Sequence, residues 1–316
     1  MIDVSVIFVS YNTEEMTKKA IALVKQSLPQ LNIEIFVIDN ASKDGSAEMI
    51  RQEFPEIHLI VNKTNVGFGR ANNQALPFVR GRYILLLNTD AFVDPDTIQK
   101  TVDFMESNPK TGILGVRLLG RDGVLQPSCR YFPTPINSFL FRTGLNKLFT
   151  SVKMVDDMTW DHNQVRDCDW VPGCYYLIRK EVIDQVGLFD SRYFLYSEEV
   201  DHCFSAKNAG WNVTYFPYAS VVHIGGESAK TDNKISSVSR QVSALQIESE
   251  LLYFRKNLGL RSTLIHVVLT VIAESILFLK RLIKQPLNFK QVFNFKNLFL
   301  YIKIAYLNRL GYRALR

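Results

Sequence analysis

The chain has 316 residues, 47% of them hydrophobic, and no low-complexity tract or internal repeat. This composition excludes a fibrous or largely disordered protein and favours one large domain, or one domain with an appendage. The net charge of +6 is unevenly distributed, because residues 255–316 contain twelve Lys and Arg residues and one acidic residue. That segment carries +11 and residues 1–254 carry −5, so the two parts are expected to face different partners.

Short apolar runs alternate with helical patterns through the first 90 residues. The apolar runs span residues 3–9, 34–38, 57–61 and 83–87, and the helical patterns span 14–27, 46–53 and 68–79. The runs do not alternate strictly with polar residues, which is typical of parallel strands covered on both faces. The first run lacks the basic segment and cleavage site of a signal peptide, so we interpret it as a buried strand. The pattern predicts an α/β protein.

Polar residues follow each of the four predicted strands. They are Ser10-Tyr11-Asn12, Asp39-Asn40-Ala41-Ser42, Asn62 to Gly67, and Asn88-Thr89-Asp90. Ligands of parallel sheets bind beyond the carboxyl ends of the strands, so we expect a polar crevice at this edge. Asn, Asp and Gly are also common turn formers, which is a sufficient explanation for any single loop. The four loops together favour the crevice.

The third residue of Asn88-Thr89-Asp90 offers a carboxylate to a hard cation. A carboxylate at Asp90 and an amide oxygen at Asn88 suit Mg²⁺ or Mn²⁺ when phosphate oxygens complete the coordination. Such an ion would neutralise the charge that develops on a leaving diphosphate. The alternative is that an Asn or Asp here caps the helix following Asp94-Pro95-Asp96.

Three carboxylates, Glu198, Glu199 and Asp201, fall within four residues. If a helix starts near Ser197, they would interact favourably with its dipole. The preceding residues 189–195 are rich in aromatic side chains, and a carboxylate against such a wall has a raised pKa. A raised pKa suits a general base near neutral pH, and the two roles are compatible.

A histidine and a pair of glycines follow a further apolar run, residues 219–222. His223 at this strand end is a candidate metal ligand or phosphate donor, and Gly225-Gly226 would allow close approach of the backbone. The alternative is an ordinary hydrogen-bonded structural histidine.

The four cysteines, at 129, 168, 174 and 203, have no CxxC spacing. We expect reduced thiols in a cytoplasmic protein. A structural pair between Cys168 and Cys174 is the alternative, and zinc binding is less favoured.

The basic C-terminal segment combines apolar, aromatic and positively charged residues. Residues 263–279 are apolar but contain His266 and Glu274, and their length is at the lower limit for a membrane span. The lysines that follow alternate with aromatic residues, which favours a segment lying on an anionic membrane surface. A helical hairpin packed on the catalytic domain is the structural alternative. Nucleic-acid binding is disfavoured, because the chain offers no nucleic-acid motif.

Taken in order, these pieces resemble glycosyltransferase family 2, and in particular its rhamnosyltransferase-like members. The resemblance is carried by VSVIFVSYN, EIFVIDNASKDGS, NKTNVGFGRANNQA, YILLLNTDAFVDPD, WVPGCYYLIRKEVIDQVGLFD, FLYSEEVDHCF and VVHIGGES, between residues 4 and about 228. It implies the GT-A fold, with a mostly parallel central sheet and a Rossmann-like N-terminal half. The implied catalytic domain is residues 1–255, and residues 256–316 would form a helical, membrane-associating segment.

The resemblance also implies roles for individual residues. Ser10, Tyr11, Asn12, Asp39, Asn65 and Gly67 would bind the nucleotide, with Asp39 on the base. Asn88, Asp90 and His223 would lie at the metal and diphosphate; Asn88 stands where the family has Asp, which predicts a weaker metal contact. Trp170, Gly173 and Asp201 would lie on the acceptor side. The family's Glu-Asp pair corresponds to Glu198-Glu199, and Glu199 is preferred over Glu198 as the catalytic base.

The implied activity is inverting transfer of a hexose or deoxyhexose, with rhamnose favoured, from a nucleotide-diphosphate sugar. The acceptor would be a glycan, with a lipid-linked one favoured, in surface polysaccharide synthesis, and the enzyme would reach it from the inner face of the cell membrane. Two alternatives are a nucleotidyltransferase and an inactive sugar- or lipid-binding module. The first would need a Gly-rich, basic phosphate loop, which SYNTEEMT does not provide.

Overall fold

A computed structural model of the protein describes residues 1–26, 31–225, 244–284 and 295–316. Within them, ten strands form one sheet. The strands are β1 (Val4–Ser10), β2 (Ile33–Asp39), β3 (His58–Val61), β4 (Tyr83–Leu87), β5 (Ala91–Val93), β6 (Thr111–Leu119), β7 (Leu125–Gln126), β8 (Arg166–Cys168), β9 (Tyr175–Arg179) and β10 (Asn212–His223).

Helices flank the sheet and extend beyond it. They are α1 (Glu14–Gln26), α2 (Ser46–Glu53), α3 (Phe68–Asn73), α4 (Thr97–Ser107), α5 (Pro135–Thr143), α6 (Lys180–Val186), α7 (Glu198–Asn208), α8 (Ala244–Tyr253), α9 (Gly259–Lys284) and α10 (Lys296–Leu307). A 3₁₀ turn, Leu145–Lys147, follows α5, and a π-helical turn, Phe254–Leu258, joins α8 to α9.

The strand order is β3-β2-β1-β4-β9-β6-β10-β5, with β7 on β6 and β8 on β10. Strands β1 to β4, β6 and β10 run in one direction, and β9 runs antiparallel between β4 and β6. The predicted α/β fold with a mostly parallel sheet is therefore confirmed. The carboxyl ends of β1, β2 and β4 meet at one edge, as the parallel register requires.

The core lies on both faces of the sheet. All five residues of β4 are buried, which explains why its sequence, YILLL, does not alternate. Helices α1 and α2 cover one face through buried side chains such as Ile21 and Ile50. The cluster on the other face includes the aromatic side chains of Tyr176 and Trp170.

Helix α3 ends at Asn73, six residues earlier than predicted. Residues 74–78 continue as turns in which backbone N–H groups donate to carbonyls three residues back. Pro77 explains this difference, because proline lacks an N–H group and disfavours α-helical geometry in the residue before it.

Helix α9 continues from α8 through the π-helical turn without a break in helical structure. Among the described residues, one helix, Ala244–Ile283, is long and apolar enough to cross a membrane by length and composition. The predicted domain boundary after residue 255 falls inside it, so the division remains a prediction. Gly226, the second glycine of the predicted pair, and the aromatic and basic residues 289–293 lie outside the described residues.

All four cysteines are free and buried, consistent with reduced thiols. The alternative pair between Cys168 and Cys174 is not formed. The thiol of Cys168 instead interacts with that of Cys129.

Candidate active site

Asp39 lies at the end of β2 with an unused acceptor. The side chain is 1% exposed, and its Oδ2 accepts a hydrogen bond from the Ser42 backbone N–H at 3.1 Å. Its Oδ1 is buried and has no hydrogen-bond partner among the described residues. Buried acceptors are seldom left unpaired, so this atom fits a donor from a ligand, such as the imide N–H of a pyrimidine.

The loops after β1 and β2 hold each other in place. The Asn12 N–H donates to Ser42 Oγ at 3.0 Å, and Asn12 Oδ1 accepts from the Lys43 N–H at 2.7 Å. Asn12 and Ala41 both have positive φ values, 54° and 68°. Positive φ is uncommon outside glycine and concentrates at ligand sites, which favours a binding role for these loops.

Ser10 and Tyr11 are placed differently from each other. Tyr11 is partly exposed beside Asn12. The Ser10 side chain is fully buried, and its hydroxyl is bonded to Thr17 Oγ1 at 3.0 Å. Nucleotide contact by both residues remains a prediction, and for Ser10 this geometry leaves the backbone as the group nearest a ligand.

Asn40 organises the loop after β3, a role that the sequence analysis did not assign. Its Nδ2 donates to Asn65 Oδ1 at 2.9 Å, and its Oδ1 accepts from Val66 N and from Asn62 Nδ2 at 3.0 and 3.2 Å. Asn65 Oδ1 also accepts from the Gly67 N–H. This network fixes Asn65 and Gly67 next to Asp39.

Gly67 brings this loop against the segment that precedes α7. Its φ is 91°, and a Cβ at this position would overlap the carbonyl oxygen of Phe194. The next residue, Phe68, donates its N–H to the same carbonyl at 2.9 Å. The predicted nucleotide loop is therefore in direct contact with the aromatic segment that precedes the candidate base.

Asp90 and His223 form a candidate cation site. Asp90 Oδ1 lies 3.6 Å from His223 Nε2, and Asp90 Oδ2 accepts from the Gly225 N–H at 3.1 Å. Gln126 donates its Nε2 to the His223 carbonyl, so its Oε1 faces His223 Nδ1 at 2.8 Å and requires the proton there. The His223 Nε2 lone pair then faces a carboxylate oxygen, an arrangement that a bound cation would stabilise.

Asn88, the other predicted metal ligand, adds no contact between its side chain and Asp90 or His223 among the hydrogen bonds of the described residues. The Asn88 side chain is partly exposed, and its backbone N–H donates to Cys174 O at 3.1 Å. Within the described ranges, no three His, Cys, Asp or Glu residues gather around a common point. The donors fit a cation that takes one carboxylate and one imidazole from the protein and its other ligands from a diphosphate.

Glu198 and Glu199 begin α7, directly after a strained turn. Tyr196 and Ser197 have φ values of 75° and 67°, and consecutive positive values in non-glycine residues are energetically unfavourable. The predicted helix start near Ser197 is confirmed. The strain fixes the direction in which the two carboxylates leave the helix.

The two carboxylates have different surroundings. Glu198 is 1% exposed, lies against Gly69, and has an Oε1 without a partner; burial and the neighbouring Glu199 raise its pKa well above the ordinary value. Glu199 is partly exposed. Burial raises its pKa, opposed by backbone hydrogen bonds, including one from Gly173, and by the positive charge of Arg130. Glu199 is therefore the more exposed of the two carboxylates.

Arg130 is a second residue that the sequence analysis missed. Its backbone pairs with that of Trp170, and its guanidinium lies over the Trp170 ring at 4.6 Å and 2.9 Å from Asp156. Its charge acts on both Glu199 and His223, whose pKa is lowered chiefly by burial. Trp170 itself is buried and donates its indole N–H to Tyr131 O, so it forms the wall that carries Arg130.

Asp201 lies apart from the other predicted site residues. Its carboxylate accepts from Lys256 Nζ at 2.6 Å, from Asn257 Nδ2 at 2.7 Å and from Tyr193 Oη at 3.3 Å. These bonds join α7 to the π-helical turn after α8. The geometry favours a structural role, and substrate contact by Asp201 remains a prediction.

The fold and the arrangement of these groups define the class of protein. A mixed sheet with a polar crevice at the ends of β1, β2 and β4, closed by the segment before α7, is the GT-A fold of glycosyltransferases. Residues 5–160 match the family described as Glycosyl transferase family 2, and residues 83–283 match Glycosyl transferase family group 2. The second match covers more than half of the chain, and the protein belongs to this glycosyltransferase family.

Similar proteins agree with this assignment. The chain is 28% identical over 218 residues to N-acetylglucosaminyl-diphospho-decaprenol L-rhamnosyltransferase of Mycobacterium tuberculosis, covering 63% of this chain and 69% of the relative. It is 29% identical over 233 residues to rhamnosyltransferase WbbL of Escherichia coli K12, covering 70% and 83%. The crystal structure of S. aureus TarS 1–349 in complex with UDP-GlcNAc has the same fold, with a TM-score of 0.55 and 15% identity over 98% of this chain and 82% of that one.

Proposed function

We propose that the protein is an inverting glycosyltransferase that moves a hexose or deoxyhexose, with rhamnose favoured, from a nucleotide-diphosphate sugar to a lipid-linked glycan. The reaction would belong to the synthesis of a surface polysaccharide. The names of the two rhamnosyltransferase relatives support the sugar, and that of the mycobacterial relative supports an acceptor carried on a polyprenyl diphosphate.

The observation that carries this proposal is the continuous chain of contacts between the three acidic centres. Thr13 and Thr89 hydroxyls, 3.0 Å apart, join the loop beside Asp39 to the loop of Asp90. Asn88 N–H bonds to Cys174 O, one residue after the Gly173 that contacts Glu199. One crevice would therefore receive a nucleotide at one end and an acceptor at the other.

Donor binding would use the groups whose hydrogen-bonding or metal-binding capacity is not satisfied within the protein. Asp39 Oδ1 would accept from the base, while Asn12 and Asn65 hold the loops that enclose the nucleoside. Asp90 and His223, with a weaker contribution from Asn88, would hold Mn²⁺ or Mg²⁺ at the diphosphate. When bound, such an ion supplies positive charge that stabilises the departing nucleoside diphosphate.

Acceptor activation would use Glu199. Its carboxylate would remove the proton from an acceptor hydroxyl as that oxygen attacks the anomeric carbon, and the bond to the diphosphate oxygen breaks in the same displacement. A single displacement inverts the anomeric centre and needs no covalent sugar–enzyme intermediate. Arg130, held between Trp170 and Asp156, would direct positive charge into the same crevice.

Membrane association of the C-terminal segment is supported by the polarity of α9, which is reversed relative to a soluble helix. Only 22% of its most apolar 18-residue window is buried. The face that packs on the protein is polar and carries Thr263, His266 and Thr270. The exposed face is apolar and carries Leu264, Ile265, Val268, Ile272 and Leu279. We infer a location at the inner face of the cell membrane, where a lipid-linked acceptor is within reach.

The test is transfer by the purified full chain. Nucleotide-diphosphate sugars, including dTDP-rhamnose, would be offered with a polyprenyl-diphosphate N-acetylglucosamine acceptor, and the product's anomeric configuration determined by NMR. We expect an inverted linkage, activity that requires Mn²⁺ or Mg²⁺, and loss of transfer in Asp90→Ala with the melting temperature retained. Full activity of Asp90→Ala or after EDTA would refute the metal role.

The same assay separates the alternatives. Release of pyrophosphate from a nucleoside triphosphate and a sugar 1-phosphate, offered in place of the donor and the acceptor, would identify a nucleotidyltransferase. Donor binding without transfer or hydrolysis of any sugar would identify an inactive binding module, an idea to which the Asn88 and Glu199 departures from the family pattern lend some support.

A further inference from the structure

A second apolar surface lies on the catalytic part of the chain, outside the C-terminal segment. It consists of Ile136 and Phe141 on α5 and Leu148 and Phe149 just after the 3₁₀ turn; we call it the α5 patch. Phe141 is 70% exposed and Leu148 75%, and Ile136 and Phe149 are at least half exposed. Large side chains this exposed and this close in the chain mark an interaction surface.

The helix that carries this patch is firmly built, so the exposure is not the result of a poorly formed segment. Thr134 and Asn137 form a capping box, Pro135 occupies the first turn, and Gly144 ends the helix in the left-handed conformation. Leu140 is buried on the inner face. The sequence thus stabilises a helix whose outer face is apolar.

The charge around the α5 patch favours an anionic partner. Residues 123–155 contain four basic residues and no acidic residue. Lys147 and Lys153 are both exposed; Lys147 directly precedes Leu148, and Lys153 follows Phe149 by four residues with its Nζ over the Tyr131 ring at 4.6 Å. Exposed apolar side chains with flanking lysines are the pattern of a segment that lies in the interface of an anionic bilayer.

Helix α5, which carries Ile136 and Phe141 of the patch, packs against α9. Lys280 Nζ of α9 donates to the Thr143 carbonyl at the end of α5 at 2.6 Å, and Arg142 lies 3.8 Å from Glu274. Near its other end, α9 stacks His266 on Phe254 at 4.2 Å. Protein therefore lines one side of α9 over about 21 Å, the rise of 14 helical residues, which opposes a crossing of the bilayer by this helix.

We propose that the α5 patch and the apolar face of α9 together form one platform that lies in the interface of an anionic membrane. This inference rests on the proposed function for the membrane itself and adds the catalytic-domain half of the contact. The platform also has a place relative to the crevice: Ile136 follows Arg130 by six residues, so their Cα atoms are at most about 21 Å apart. A polyprenyl diphosphate held in the bilayer would enter the crevice on this side.

The test measures binding of the full chain to vesicles of phosphatidylcholine, with and without phosphatidylglycerol, by flotation. Phe141→Ser/Leu148→Ser is compared with the matched control Phe78→Ser/Tyr218→Ser, whose side chains are 59% and 62% exposed elsewhere on the surface. We expect the patch variant to lose about tenfold in partitioning for each inserted side chain, and the control to stay within about twofold of the unchanged protein.

A charge variant tests the anionic part of the proposal. Lys147→Glu/Lys153→Glu should weaken binding to vesicles with phosphatidylglycerol by about fivefold or more per lysine and leave binding to pure phosphatidylcholine almost unchanged. All substituted side chains are exposed, so thermal unfolding should show unchanged melting temperatures.

Several outcomes would overturn the platform. Patch variants that float like the unchanged protein, while Leu264→Ser/Val268→Ser loses binding, would confine the contact to α9. A change in oligomeric state by sedimentation velocity, with unchanged flotation, would identify a protein as the occupant of the patch. Failure of the proposed function is separately visible as absence of sugar transfer by the unchanged protein.

Discussion

Glu198 and Glu199 are adjacent in the chain but are expected to respond oppositely to amide substitution. Glu199→Gln should lower kcat by about 10²–10⁴-fold, because a general base contributes that much to a proton transfer. Glu198→Gln should retain most of the activity, since Glu198 is buried with a raised pKa and a neutral amide resembles its protonated form. Donor binding, measured by calorimetry, should survive in both variants.

The stability of Glu198→Gln provides the control for this pair. A carboxyl whose folded pKa is raised contributes its full stability below the unfolded pKa, about 4.3, and loses it as pH rises through the folded value. Glu198→Gln should therefore equal the unchanged protein in melting temperature near pH 4 and exceed it near pH 8. If only Glu198→Gln abolishes transfer, Glu198 is the base.

Arg130 is expected to set the pH at which Glu199 works. Its positive charge holds down a pKa that burial raises. Because a base is active when deprotonated, the rate rises with pH through this pKa. Arg130→Gln should move the acid limb of kcat/KM to higher pH, whereas Arg51→Gln, an exposed substitution on α2, should leave the limb in place. If the acid limb does not shift in Arg130→Gln, the charge of Arg130 does not control the pKa of the catalytic base.

Gln126 is expected to orient His223 for the cation. Gln126→Leu removes both hydrogen bonds to His223, at 2.8 and 2.9 Å, and frees the ring to rotate. Loss of such an orienting partner weakens metal affinity by about 10–100-fold. Mn²⁺ binding in the presence of a nucleoside diphosphate, followed by electron paramagnetic resonance, measures this without turnover. Unchanged affinity in Gln126→Leu would place the cation away from His223.

Residues at strand ends could be located from sequence, and residues that act across the fold could not. Asp39 and Asp90 follow obvious apolar runs, so their place at the sheet edge was predictable. Arg130 and Gln126 lie in a segment whose spacing carries no signal, because their partners are 26 or more positions away. Asp201 is close to Glu199 in the chain but not in direction. It follows Glu199 by two residues on α7, and this spacing turns its side chain about 200° away from that of Glu199.

At the level of elements, Gly67 couples the nucleotide loop to the segment before α7. Gly67→Ala should disrupt both, because the new Cβ would overlap the Phe194 carbonyl and φ is 91°. We expect the KM for the donor to rise by at least about tenfold, with a loss of stability of about 1–3 kcal/mol. Gly123→Ala, at a φ of 76° with open space around it, is the matched control for backbone strain alone. Equal effects of the two substitutions would contradict the coupling.

The early elements were predictable because each is locally consistent. Strands β1 to β4 and helices α1 and α2 match the predicted runs within a few residues. Strand β10 was predicted only over residues 219–222 but begins at Asn212. The cause is Pro217, which interrupts the apolar pattern and lies where the register against β6 shifts between Phe216 and Ser220. Pairing with β6, which is distant in the chain, thus stabilises a strand that could not be predicted from its own residues.

At the scale of the whole molecule, the catalytic fold and the C-terminal helices are joined by buried charge. Lys256 donates to Asp201 at 2.6 Å and to Asp190 at 2.9 Å, across the junction between α7 and the π-helical turn. Burial acts to raise the pKa of Asp190, but hydrogen bonds from Arg192 and Lys256 outweigh it and hold that pKa well below the ordinary value. These ion pairs therefore attach the C-terminal helices to the catalytic fold at this junction.

Lys256→Met should weaken this junction and destabilise the whole protein. The substitution leaves the buried Asp201 carboxylate without its cation, and breaking a buried pair in this way costs about 3 kcal/mol. Lys180→Met, which removes an exposed pair with Asp184, should change stability by less than about 0.5 kcal/mol. Calorimetric melting of both variants measures the difference.

The pH dependence identifies the cause of that difference. Lys256 also holds down the pKa of Asp190, and a carboxylate with a lowered folded pKa contributes stability above its unfolded pKa, about 3.9, that is lost as pH falls through the folded value. The gap in melting temperature between Lys256→Met and the unchanged protein should be largest near pH 7 and should narrow below about pH 4. A gap that stays constant with pH would assign the loss to the packing of the lysine stem, and would leave the junction without an electrostatic role.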